Sequence, residues 1–270
     1  MSAPLKLGIV GAGAIARAYA QAIAATDAAD LVAVADSNPI AAASMAGAAG
    51  AQAFASHADL AASGLCDAVL VTTPPVTHAD IVVDLVQRKL PVLCEKPFSV
   101  DLESARRMAR AADAAGVVLS MASKFRFSDD VIAARGLVAS GVIGTPFLLE
   151  NVFTGVADMT QRWNSDEAIA GGGVLIDNGT HSVDIARYFL GPITEILAVE
   201  GPRIQKMAVE DSVTVVVVES PGGTTAREVS AIRAACPNAL TLMGRFAGIE
   251  AFRASPGNAC VAALHARLGS

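Results

Sequence analysis

The sequence predicts an α/β fold, a doubly wound parallel sheet, followed by an α+β half built of helices and a largely antiparallel sheet. Three observations predict it. Short apolar runs alternate with helical stretches from the amino terminus to about Met121, as parallel strands with crossover helices require. The first run passes directly into Gly11-x-Gly13-x-x-Ala16, the glycine turn of a Rossmann βα unit. After Phe127 the alternation stops, and apolar runs separated by turn residues follow one another.

Leu5 to Val10 is short, apolar and β-branched, so it reads as a buried strand. Arg17 to Ala25 is alanine-rich and helical, Leu31 to Ala35 is a second strand ending at Asp36, and Ile40 to Ser56 reads as a helix followed by a loop. Asp67 to Thr73 is the next strand, Ala79 to Lys89 a helix, and Pro91 to Cys94 a short strand. Asp101 to Ala115 is a helix with Asp101 as its N-cap and Glu103 in the first turn, where negative charge suits the helix dipole. Val117 to Met121 closes the series. Beyond it, Asp129 to Ala139 is a helix, Pro146 to Phe153 a strand, and Val174 to Leu190 a helix stopped by Gly191-Pro192. Ile193 to Glu200, Ser212 to Glu219, Thr224 to Ile232 and Leu240 to Met243 read as strands. The boundary predicts two domains, 1–122 and 123–270.

Composition bounds the function. The 270 residues are 53% hydrophobic and 17% charged, enough for a sizeable core. A net charge of −6 argues against nucleic acid or an anionic membrane as partner. The four cysteines are dispersed without a C-x-x-C pair, which reads as reduced thiols in a cytoplasmic protein with no zinc site. The stretch from Lys6 to Ala20 mimics a signal peptide, but its glycines and Arg17 interrupt the pattern.

The chemistry starts at the glycine turn. Gly11 permits the turn, Gly13 lets the backbone approach a pyrophosphate, and Ala16 lets helix and strand pack closely. The helix N-terminus at Ala14 and Ile15 offers N–H groups to the phosphates. Asp36 can accept hydrogen bonds from the adenine ribose and would repel a 2′-phosphate, which favours NAD over NADP. Ser37 and Asn38 follow where a phosphate-binding arginine would stand. Thr73, Glu95 and Lys96 also sit at carboxyl ends of strands, where ligands of such sheets bind. In Gly171-Gly172-Gly173-Val174-Leu175-Ile176-Asp177-Asn178-Gly179-Thr180-His181, Asp177 and His181 stand four apart and share a face if the segment is one helix. A proton-handling pair and a lysine suggest chemistry at an alcohol or carbonyl carbon.

Other residues keep two readings each. His78 either starts a helix or touches the cofactor. Trp163 either lines a sugar ring or packs. Arg126 and Lys124 either reach the site or bridge to Asp129 or Asp130, and Asp184 caps or pairs within the helix region rather than reacting.

Together, Gly11-x-Gly13-x-x-Ala16, Asp36, Thr73-Pro74 with His78, Cys94-Glu95-Lys96-Pro97, Arg126-Phe127 and the Gly171–Asp184 block resemble the Gfo/Idh/MocA family of NAD(P)-dependent oxidoreductases. The resemblance runs from about Leu5 to Glu200, and Arg245–Ile249 looks like a later hairpin of the family. It implies cofactor contacts from the glycine turn, Asp36, Thr73, Pro74, His78 and Glu95. It implies a cis bond before Pro97 and Lys96 between nicotinamide and substrate. The implied reaction moves a hydride between NAD and a secondary alcohol or ketone of a sugar, cyclitol or related polyol. His181 would be general base, a role suited to an imidazole titrating near ~6.5. Lys96 would stabilise the oxyanion, and Asp177 would orient His181 or a neighbouring hydroxyl. Arg126 and Trp163 join these three as candidate substrate contacts.

Two alternatives belong to other classes: an NAD-requiring glycosidase acting by transient oxidation, and a non-catalytic dinucleotide sensor on the same fold. From Arg253 the chain turns rich in Ala, Gly and Pro and leaves the resemblance. The second half therefore reads as shortened, either a reduced sheet or a truncated or frameshifted product. Its open sheet predicts a homo-oligomer.

Overall fold

The computed structural model describes residues 3–144, 149–155 and 157–219. The chain divides into two compact units. One runs to Ala122 and takes back Asp166–Gly171, while the other takes Ser123–Ser165 and the chain from Gly172 onward.

The first unit is a six-stranded parallel sheet. Its strands are β1 (Leu5–Val10), β2 (Ala29–Ala35), β3 (Gln52–Phe54), β4 (Ala68–Val71), β5 (Val92–Cys94) and β6 (Leu119–Met121). Their order, β3-β2-β1-β4-β5-β6, reverses direction between β1 and β4. Ligands of this architecture bind at the carboxyl ends flanking that reversal. There Val10 pairs with Val71, so the chain exits at Gly11 and Thr72 are side by side. Successive strand residues point to opposite faces. Thus Ile9 and Val34 join Ala16, Ile23 and Met45 on one side. Val10, Ala33 and Ala35 join Leu85, Val86 and Met108 on the other.

The intervening helices are α1 (Ala14–Ala24), α2 (Pro39–Ala49), α3 (His57–Ala62), α4 (Pro75–Gln87) and α5 (Leu102–Ala115). The Asp101 side chain accepts the Ser104 N–H as the expected N-cap of α5, and Gly116 ends that helix in the left-handed conformation. Three details differ from the sequence reading. The predicted loop after α2 contains β3, and α3 follows it. Helix α1 begins at Ala14 rather than Arg17, with Gly13 as its N-cap. Helix α4 begins at Pro75 rather than Ala79, because proline at the first helical position has no N–H to leave unpaired.

The second unit holds a 3-10 turn (Lys124–Phe127), α6 (Asp129–Ala139) and a 3-10 turn at Trp163–Ser165. It continues with α8 (Val174–Asp177), α9 (Gly179–Leu190), β7 (Ile193–Glu200) and β8 (Val213–Glu219), and α7 (Glu167–Ala170) belongs to the first unit. Strands β7 and β8 are antiparallel. Ile185 and Ala186 of α9 form a small core with Phe125, Val131, Leu149 and Phe189. The predicted strand at Pro146–Phe153 is not formed over its described part, 149–153. The predicted single helix from Val174 is two helices, broken at Asn178. At the break the His181 N–H bonds the Asn178 carbonyl three residues back, a tighter turn than the α repeat. The runs read as strands at Thr224–Ile232 and Leu240–Met243, and the hairpin at Arg245–Ile249, lie outside the described residues. Among the described residues no helix is long and apolar enough to cross a membrane.

Candidate dinucleotide and proton-transfer sites

In the first unit the turn after β1 has the shape a dinucleotide needs. Gly11 has φ +98°, and a Cβ there would lie 2.9 Å from the Thr72 carbonyl carbon and the Thr73 nitrogen. Gly13 is the opposite case: a Cβ there meets nothing within 4 Å. Its open face and the uncapped N-terminus of α1, where no side chain takes the first N–H groups, leave room and donors for a pyrophosphate. Ala16 is fully buried against the sheet, whereas Ala14 and Ile15 are exposed on the first turn. Thr72, which sequence reasoning missed, donates its hydroxyl to the Val10 and Gly11 carbonyls at 3.0 and 2.7 Å and holds the turn from the next strand.

Asp36 follows β2. Its carboxylate accepts the Ala12 N–H at 2.6 Å and the Asn38 N–H at 2.7 Å. It therefore braces the glycine turn, and two carboxylate oxygens still have lone pairs for ribose hydroxyls. Ser37 is exposed beside it. Thr73 accepts a bond from the Thr77 hydroxyl, and Pro74 is exposed as the N-cap of α4.

His78 corrects an expectation. It is 0% exposed inside α4 and has no surface for a cofactor. Its Nε2 lies 2.8 Å from the Thr73 carbonyl and its Nδ1 3.0 Å from that of Pro97. It ties the loop after β4 to the loop after β5. Burial pushes the imidazole below its ordinary value, against the pull of the Thr73, Phe98 and Pro97 carbonyls and of Glu95.

The β5 loop carries Glu95 and Lys96, followed by a cis Lys96–Pro97 bond. Glu95 is only 9% exposed. It accepts the Tyr19 hydroxyl at 2.7 Å on one oxygen and the Lys96 N–H at 2.8 Å on the other. Tyr19, on α1, was not singled out from the sequence.

In the second unit His181 is 5% exposed. The Phe125 ring stands edge-on to it at 4.8 Å, and Phe153 lies at 6.2 Å. Asp177 closes α8, so it and His181 occupy different helices. Asn164, also missed by the sequence reading, donates its amide to Asp177 at 3.3 Å. Glu210 accepts the N–H groups of Gly173 and Leu175 and so caps α8. Asn164, Asp177 and Glu210 line a cleft of about 280 Å³ with Phe153, Gly173 and Asp211. Asn164 Oδ1 and Asp211 Oδ1 are buried acceptors without a partner among the described residues. Trp163 is 45% exposed at the start of its 3-10 turn. Arg126 bonds Asp184 through both Nε and Nη2, not Asp129 or Asp130, and lies over the Tyr188 ring. The Asp184 carboxylate holds its guanidinium charged, so the pair braces α9. Among the described residues no group of three or more His, Cys, Asp or Glu could hold a metal ion.

Comparison with known proteins agrees with this anatomy. Residues 5–123 match the model of the oxidoreductase family's NAD-binding Rossmann fold, and residues 131–250 match that of the GFO/IDH/MocA C-terminal domain. The rhizopine catabolism protein MocA of Rhizobium meliloti is 36% identical over 188 residues, 69% of this chain and 57% of that protein. Inositol 2-dehydrogenase of Rhizobium meliloti (strain 1021) is 32% identical over 191 residues, 69% of this chain and 55% of that one. The WlbA dehydrogenase of Bordetella pertussis, solved with NADH and UDP-GlcNAcA, superposes with a TM-score of 0.74 at 27% identity, covering 80% of this chain and 64% of that one. The chain thus spans little more than half the length of these two curated relatives. With a glycine turn open at Gly13, a carboxylate closing β2 and both domain models matched in order, the chain belongs to the Gfo/Idh/MocA family of oxidoreductases.

Proposed function

We propose that the protein is an NAD-dependent dehydrogenase that transfers a hydride between the cofactor and a secondary alcohol or ketone of a sugar, cyclitol or related polyol. One observation carries the reading. The open turn at Gly13 and the Glu95–Lys96 loop stand at carboxyl ends of the same sheet, with β4 alone between β1 and β5. Two strand spacings are ~10 Å, within the reach of a dinucleotide laid across the strand ends. The curated relatives include an inositol 2-dehydrogenase, and the solved relative holds NADH with a sugar nucleotide. Both support the substrate class.

NAD, when bound, supplies the hydride acceptor. Gly11, Gly13 and the first turn of α1 (Ala14, Ile15, Ala16) hold its phosphates. Asp36 and Ser37 meet the adenine ribose, while Thr73, Pro74 and Glu95 border the remainder. Lys96 stabilises the oxyanion that develops as the alcohol is oxidised. His181, in its pocket of Phe125 and Phe153, takes the hydroxyl proton. Asp177, held by Asn164, receives a neighbouring hydroxyl or orients the imidazole. The orphan acceptors Asn164 Oδ1 and Asp211 Oδ1 suit a ligand rich in hydroxyl donors. Trp163 stands beside Asn164 with an exposed face suited to a sugar ring. The β7–β8 sheet belongs to the same reading as a subunit interface, and a monomer at every concentration in light scattering removes that part.

The test is NADH formation over a panel of polyols, aldoses and inositols, with NADP in parallel. Lys96→Ala and His181→Ala should each lose at least a hundredfold in hydride transfer. Near-normal rates in both variants, with a confirmed substrate, overturn the assignment.

A further inference from the structure

We infer that Tyr19 is a positioning residue for Lys96, acting through Glu95 to fix the backbone from which the lysine projects. The inference rests on Lys96 having the role proposed above. It goes beyond that role in identifying what holds the lysine in place.

The chain of contacts is short and lies within one unit. Tyr19 sits on α1, the helix that Gly13 caps. Its hydroxyl donates to Glu95 Oε1 at 2.7 Å, and Glu95 Oε2 accepts the Lys96 N–H at 2.8 Å. The Glu95 N–H is itself fixed to the Val71 carbonyl at 2.8 Å. The Glu95 backbone is therefore held by β4 and its side chain by α1, with the carboxylate spanning from the phenol to the lysine amide. Glu95 is 9% exposed, so water does not readily replace a lost donor. Burial and the Glu95 carboxylate both hold the phenol protonated, which keeps it a donor. A tyrosine wanted only for packing could be phenylalanine. The hydroxyl is the group that reaches the carboxylate.

Two hydrogen bonds in series thus link α1 to the loop after β5.

The experiment uses the full chain and the variants Tyr19→Phe, Glu95→Ala and their double. Amide hydrogen exchange, resolved to single residues, reads the backbone without any substrate. Tyr19→Phe should speed exchange of the Lys96 amide about tenfold, the effect of losing a hydrogen bond to a charged group. The Thr72 amide, bonded to Val10 in the same sheet, should not change. In turnover, kcat should fall about fivefold while KM for NAD stays within twofold. Glu95→Ala is the second variant, which removes both acceptors, and adding Tyr19→Phe to it should cost nothing more, because residues acting in series are not additive. An unchanged Lys96 amide in Tyr19→Phe, or independent effects of the two substitutions on exchange, overturns the inference. If the wild type transfers no hydride anywhere on the panel, the proposed function falls, and the exchange result still decides whether Tyr19 positions the loop.

Discussion

Alanine at the two glycines of the turn should separate folding from cofactor binding. At Gly13 the backbone has φ −78° and ψ −166°, a conformation open to any L-residue. An added methyl there meets no atom within 4 Å. Gly13→Ala should therefore leave the fold intact, or stabilise it by about 0.4–1 kcal/mol through the unfolded chain's lost freedom. In the proposed binding mode the same methyl stands where a pyrophosphate approaches the backbone. Losing one charge-assisted hydrogen bond, worth about 1.5–3 kcal/mol, weakens NADH binding at least tenfold. At Gly11, φ is +98° and the methyl would lie 2.9 Å from the backbone of Thr72 and Thr73. That strain costs about 2 kcal/mol, or roughly 5 °C in Tm for a chain of this size. The assay is a thermal melt of each variant beside an NADH titration by nicotinamide fluorescence. A Gly13→Ala variant that binds NADH as the wild type does would show that phosphates do not rest on this turn. One that melts as early as Gly11→Ala would show that the open space is not there.

Two further outcomes follow from single residues. Replacing Asp36 by serine removes a carboxylate that accepts the Ala12 and Asn38 N–H groups. NADH affinity should fall about tenfold, while NADPH affinity should rise because a unit-charge repulsion of a few kcal/mol at short range is gone. Equal binding of both cofactors by the wild type would refute this. The His78 ring is held below its ordinary value by burial, so the fold favours the neutral ring. Its contribution to stability is present above the unfolded value of about 6.5 and is lost as pH falls through the lower folded value. Tm should decline between pH 7 and pH 5 and decline less in His78→Asn, and a parallel decline in both would exclude His78 as the cause.

The alternation that predicted the parallel sheet was legible because each unit repeats a pattern longer than one structural period. What the pattern missed was shorter than that. β3 has three residues and α3 has six, too few for alternation or helical periodicity to show. Gly11, Gly13 and Asp36 could be read because their work is local: a turn, an open face, a strand end. Tyr19 and Thr72 could not, since their partners lie 76 and 62 residues away along the chain. His78 was visible as a residue of interest but not in its role. The carbonyl it bridges to, that of Pro97, is 19 residues on and belongs to another strand's exit.

The glycines of the block from Gly171 to His181 have a structural reason of their own. They answer to crowding. A Cβ at Gly171 would lie 2.6 Å from Val100, and one at Gly173 would collide with the Glu210 carbonyl. The chain leaves the first unit at Gly171 and enters the second at Gly172, and glycine is what close backbone approach requires there. The α repeat is interrupted between Asp177 and His181 at Asn178, although the Asn178 backbone itself stays in the right-handed helical region. Side chains from elsewhere reach both: the Asn164 amide donates to Asp177, and the Phe125 and Phe153 rings lie against His181. Asn164→Ala removes the amide donated to Asp177 and should raise KM for the alcohol several-fold, and an unchanged KM would show that this hydrogen bond does not hold the carboxylate for substrate.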